Sequence, residues 1–182
     1  MSTQIIDRIK ERMSKTIDTL HKDFSVIRTG RANPQILDRI MVDYYGFMTP
    51  LVELAQITTP EPRQIMIKPY DKEGLKAIEK AIIASNIGLM PTNDGTVIRL
   101  NIPPLTEERR KELAKVVGKT AESAKVAIRN IRRDANDTIK KDKSIPEDER
   151  KRIEKDIQKT TDEFIKKVDE AAKEKEAEIM SV

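Results

Sequence analysis

Apolar residues recur at steps of three and four along the first thirty positions: Ile5, Ile9, Met13, Ile17, Leu20, Phe24 and Ile27. That spacing returns to one side of a 3.6-residue turn and predicts an amphipathic helix. The same steps run through Leu113, Val117, Thr120, Ala124, Ala127, Ile131, Ala135 and Ile139. They recur, less regularly, through Ile153, Ile157, Thr160, Phe164, Val168, Ala171, Lys175 and Ile179. Three helices with one apolar stripe each can satisfy one another as a three-helix bundle. The second helix, continuous from about Thr106 to Lys141, would be roughly 54 Å long, so the bundle is a rod. Ser144 with Glu147 three residues on has the spacing of a capping box at the start of the third helix. So short a connection makes the second and third helices antiparallel.

Between these helices the period changes to two. Ile40, Val42 and Tyr44 alternate as in a strand, and Gly46 and Pro50 then mark a loop. Residues 54–58 and 64–68 are further strand candidates on either side of Pro60 and Pro62. Residues 73–85 read as a helix with Leu75, Ile78, Ala81 and Ile82 on one face. Asn93-Asp94-Gly95 is a turn signal before a last alternating run at 97–102. Eight of the nine prolines lie between Pro34 and Pro104, and five of the six glycines between Gly30 and Gly95. The expected fold is therefore α+β: a long antiparallel three-helix bundle made of residues 1–30 and 104–182, with a small β/α/β domain inserted at 31–103. Two connections join them, Arg28-Thr29-Gly30-Arg31 outward and Pro103-Pro104-Leu105-Thr106 on the return. Gly30 permits backbone angles that other residues resist, and the prolines stiffen the return, so a two-linker hinge is expected.

Charge sharpens this picture. Residues 1–30 carry a net +2, 31–103 are neutral, 104–143 carry +5 and 144–182 carry −3. The positive charge concentrates on the second helix, which favours an anionic partner. The sequence 128–137 places Arg129, Arg132 and Arg133 within ten residues. With Ile131 inward, Arg129 and Arg133 fall nearly opposite it and Arg132 on the flank. A planar, permanently charged fork suits phosphate oxygens. The plainer reading is a solvated face with Asp134 and Asp137 as local partners. Arg109, Arg110 and Lys111 form a second cluster about 30 Å back along the axis, with Glu107, Glu108 and Glu112 as alternative partners. Aromatics are only 3% of the chain, which disfavours stacking on single-stranded bases and favours recognition of a folded RNA by shape and backbone.

Other chemistry is hard to place. Cysteines are absent, which excludes disulfides and thiolate metal sites. His21 is the sole histidine, no phosphate-cradling glycine loop occurs, and most carboxylates sit in mixed-charge helical runs. No apolar run approaches the roughly 20 residues that span a bilayer. Asp7 and Glu11 make the N-terminus unlike a signal or transit segment. The expectation is a cytoplasmic, monomeric, non-enzymatic protein with no cofactor, no metal and no membrane partner.

Several motifs in order carry a resemblance over the whole length. They are residues 28–32 (RTGRA), 42–46 (VDYYG), 93–95 (NDG), 98–110 (IRLNIPPLTEERR), 129–135 (RNIRRDA) and 175–180 (KEAEIM). Together they resemble the bacterial ribosome recycling factor family. The resemblance implies a helical domain and a β/α/β domain in an L shape similar in outline to transfer RNA. It implies binding to the large ribosomal subunit across the aminoacyl and peptidyl sites after termination. Subunit separation would then follow with elongation factor G and GTP, the nucleotide being used by that partner. Arginines matching Arg110, Arg129 and Arg132, with Arg133 adjacent, would hold ribosomal RNA, and elongation factor G would push the smaller domain about the hinge. One departure is the turn at 140–146, shorter than the usual family version by nearly one helical turn. The alternative, from the residues alone, is a helical adaptor docking on a protein partner; Lys175 and the inserted domain weigh against a long homotypic coiled coil.

Overall fold

The computed structural model describes residues 2–181, which divide into two compact units, one of 2–28 with Glu107–Ser181 and one of Thr29–Thr106. The chain crosses between them twice, at 28–29 and at 106–107.

The first unit is three helices: α1 (Ser2–Ser25), α4 (Glu107–Lys141) and α5 (Glu147–Met180), each packed on the other two. At 35 and 34 residues, α4 and α5 are each about 50 Å long. The core follows the stripes read from the sequence, with Met13, Leu20, Val117, Ile139, Ile157, Val168 and Ile179 almost wholly buried. The stripe on α4 is wider than one residue per turn, since Ile128 and Ala121 are buried beside Ala124 and Ile131. Thr160 and Thr161 are buried on α5, and the Thr161 hydroxyl donates to the Ile157 carbonyl at 2.7 Å, which satisfies it within its own helix. Lys175 keeps its place on the α5 stripe by pairing with Glu178 at 3.4 Å.

The turn between α4 and α5 corrects one expectation. Ser144 does not cap α5. Its hydroxyl and amide both donate to Asp142 Oδ1, at 2.5 and 2.9 Å, closing the turn on itself, and these bonds hold the Asp142 carboxyl below its usual range. Pro146 occupies the N-cap instead, and Glu147, Asp148 and Glu149 place negative charge on the first turn of the helix.

In the second unit a four-stranded antiparallel sheet has the order β3 (Ala55–Glu61), β4 (Gln64–Pro69), β6 (Ile98–Asn101), β5 (Pro91–Asn93). Alternate residues Ile65, Ile67, Ile98 and Leu100 pack beneath Leu75, Ile78 and Ile82 of α3 (Gly74–Ala84). A separate hairpin, β1 (Met41–Tyr44) with β2 (Phe47–Pro50), follows a single 3-10 turn at Pro34–Leu37, and one helical turn, α2 (Leu51–Leu54), leads into β3. The segment 47–50 is thus a strand and not the loop that Gly46 and Pro50 suggested. Tyr45 (φ 51°) and Gly46 (φ 83°) form the two-residue turn, whose positive φ values match the twist of a hairpin. Gly30 is not among the positive-φ residues, so its backbone uses an ordinary conformation. Both ends of this unit fasten to one place: Ala32 N–H donates to the Pro62 carbonyl at 2.7 Å and Ile102 N–H to that of Arg63 at 2.8 Å.

Candidate nucleic-acid interface

The basic face of α4 is built by helix geometry alone. Ile128 and Ile131 are buried, and this turns Arg129 and Arg133 outward into solvent. Neither makes an ion pair among the described residues. Arg132 lies half-buried on the flank toward α5, as the 100° spacing requires. Its Nη1 donates to Gln158 Oε1 at 3.1 Å, while its Nε is enclosed without a partner. The acids expected to neutralise this run do not. Asp134 instead accepts from Arg12 of α1 at 3.2 Å, and Asp137 forms no ion pair among the described residues. A neighbouring helix supplied a partner that a helix-local reading could not anticipate. Three guanidinium groups in less than two helical turns therefore keep their charge uncancelled by carboxylates.

The cluster near the start of α4 is different. Arg109 pairs with Glu112 at 2.8 Å and Lys111 with Glu107 at 3.4 Å, both at the surface. Exposed pairs of this kind contribute little and open readily, about 0–1 kcal/mol each. Arg110 is half-buried, and its Nη1 lies 3.4 Å from the Met180 carbonyl, a long hydrogen bond. The last turn of α5 has no basic residue of its own, so Arg110 brings positive charge to carbonyls that lack helical partners. The sequence marked Arg110 as a contact residue; its service to the end of α5, seventy residues on, was invisible there.

Among the described residues no group of three or more His, Asp or Glu side chains is placed to hold a metal, and His21 is exposed. No helix is long and apolar enough to cross a membrane. The second unit presents an apolar patch that the strand reading did not foresee: Tyr45, Phe47 and Met48 stand 65%, 76% and 64% exposed at the β1–β2 hairpin. Tyr44 and Tyr45 donate their hydroxyls to Asp71 and Glu73, which pushes both phenols up, Tyr45 to about 12.

The described residues thus form a long helical bundle, whose outward Arg129 and Arg133 lack carboxylate partners, and a small α/β unit. Comparison with known proteins shows the family. A profile of the ribosome recycling factor family matches residues 20–180. The ribosome-recycling factors of Bacillus licheniformis and Carboxydothermus hydrogenoformans are 54% and 56% identical over 185 residues, covering all of both chains. The chloroplastic factor of rice is 53% identical over 181 residues, covering 98% of this chain and 68% of its own. The chain belongs to the ribosome recycling factor family.

Solved structures agree in fold. A solution structure of a ribosome recycling factor aligns with TM-score 0.76 at 40% identity, covering 100% of this chain and 98% of the other. A second match, TM-score 0.62 at 46% identity and 99% coverage of each, is the Thermus thermophilus factor. It was placed with Escherichia coli elongation factor G on an E. coli post-termination complex.

Proposed function

We propose that this protein binds the large ribosomal subunit after termination, across the aminoacyl and peptidyl sites. With elongation factor G and GTP it then separates the subunits and frees messenger and transfer RNA. The observation that carries the reading is the run of outward Arg129 and Arg133 with Arg132 on their flank, none of them paired to a carboxylate among the described residues, on a member of this family. Phosphates of ribosomal RNA are the ligands that fit it, with Arg109, Arg110 and Lys111 as a second foothold about 33 Å back along α4. The protein performs no bond chemistry and needs no cofactor, GTP being used by elongation factor G. Its smaller domain moves about residues 28–31 and 103–106 when that factor pushes, while the bundle stays anchored to RNA. The related factor seen together with elongation factor G on a post-termination complex supports that partnership.

Co-sedimentation with large subunits over a range of KCl tests the anchoring. Each of Arg129→Ala, Arg132→Ala and Arg133→Ala should weaken binding on the order of tenfold and lower the salt slope by about one. Binding that ignores salt and survives ribonuclease would overturn the reading in favour of a helical adaptor for a protein partner.

A further inference from the structure

Gln158 meets Arg132 in a way that bears on how the interface is prepared. The Arg132 Nη1 donates to Gln158 Oε1 at 3.1 Å, and Gln158 Nε2 donates to Asp162 Oδ1 at 2.8 Å, one turn further along α5. Asp162 thereby fixes which way the amide points, because a reversed amide would set two donors against each other at Arg132 and two acceptors at Asp162. The inner end of Arg132 is also held, since its Nε is enclosed in the bundle surface. Of the five guanidinium N–H groups, one is spent on Gln158 and one is turned inward, which leaves three to meet a phosphate. A long arginine otherwise loses much of its rotamer freedom when a ligand fixes it.

The tether is neutral, and that choice matters. A carboxylate at 158 would hold Arg132 more tightly but cancel its charge and compete with phosphate for the same N–H groups. Arg109 and Lys111 show that arrangement, each paired to a glutamate. The amide accepts one hydrogen bond and leaves the full charge available. We infer that Gln158, set by Asp162, is a positioning residue that holds Arg132 extended for ribosomal RNA phosphate; the inference rests on the interface proposed above.

The test measures affinity of the full-length protein for vacant large ribosomal subunits across a KCl series. The variants are Gln158→Ala, Gln158→Glu, Arg132→Ala and the double variant Arg132→Ala/Gln158→Ala. Gln158 is exposed, so thermal unfolding of Gln158→Ala and Gln158→Glu should match the unsubstituted protein, and melts of the two variants carrying Arg132→Ala set the temperature below which all four are compared. Gln158→Ala should weaken binding about three- to tenfold at every salt concentration with the salt slope unchanged. Gln158→Glu should weaken it and lower the slope by about one, as Arg132→Ala does, because one phosphate-facing charge is withdrawn. The double variant should bind as Arg132→Ala alone. Wild-type affinity in Gln158→Ala, with Arg132→Ala impaired, would overturn the inference and leave the interface standing. A further loss in the double variant equal to that of Gln158→Ala alone would also overturn it, since Gln158 would then act independently of Arg132. An unimpaired Arg132→Ala would remove the interface reading and this inference together.

Discussion

Arg110 and Arg132 are both half-buried arginines of α4, yet their neighbours give them different work. Arg110 reaches the C-terminal carbonyls of α5, and Arg132 is tethered by an amide beside two outward arginines. Arg110→Ala should therefore lower bundle stability by about 0.3–1 kcal/mol as well as weaken RNA binding, whereas Arg133→Ala should change binding alone; thermal melts beside sedimentation separate the two. The outward arginines were legible because 100° per residue fixes a side chain once its neighbour is known to be buried. The contacts between helices were not, because Met180 for Arg110, Gln158 for Arg132 and Arg12 for Asp134 come from other helices. A second residue-scale prediction concerns Asp94, whose Oδ1 accepts from the Val97 amide and from the Thr96 amide and hydroxyl at 2.9 Å each. These bonds, led by that from Val97, hold its pKa down at about 2. A carboxylate depressed in the folded state adds stability that is fully present above its unfolded value near 3.8 and is lost as pH falls toward 2. The melting-temperature deficit of Asp94→Ala should accordingly be full at pH 6 and narrow between pH 4 and pH 2.

At the scale of elements, the long helices announce themselves because three or four apolar positions repeat over many turns, so one irregular residue such as Lys175 cannot hide the pattern. Ile128 escaped the stripe only because a helix packed against two others buries more than a single line of residues. Ile128→Ala should cost about 2–5 kcal/mol in chemical denaturation, as other large-to-small core changes do. Below the melting transition it should leave ribosome affinity intact although it adjoins Arg129. The short strands were harder. Phe47 and Met48 of β2 are both exposed, so that strand shows no alternation, and β5 has only three residues. The hairpin turn is instead recorded in Gly46, where φ is +83° and a Cβ would meet nothing within 4 Å. Gly46→Ala should thus destabilise through backbone strain alone, by about 1 kcal/mol, in a denaturation midpoint measurement. The capping box was misread because Ser144 has a nearer partner in Asp142 than the amides of α5.

For the whole molecule, the sequence already separated two regimes, helical period at the ends and strand period between, and the chain folds as two compact units with two crossings. What composition could not assign was the job of the smaller unit, since its core is ordinary; only the resemblance, carried in part by 42–46 of the hairpin, implied one. In the proposed mechanism one unit grips RNA and the other receives the push, so the connections must transmit force. Pro103→Gly with Pro104→Gly, which loosens the return linker, should leave large-subunit binding unchanged and slow subunit separation measured by light scattering. The most direct measurement is sedimentation of post-termination ribosomes with this protein, elongation factor G and GTP, each omitted in turn. The account predicts free subunits only when all three are present. Separation that proceeds equally without this protein, or failure of the protein to bind even at low salt, would contradict it.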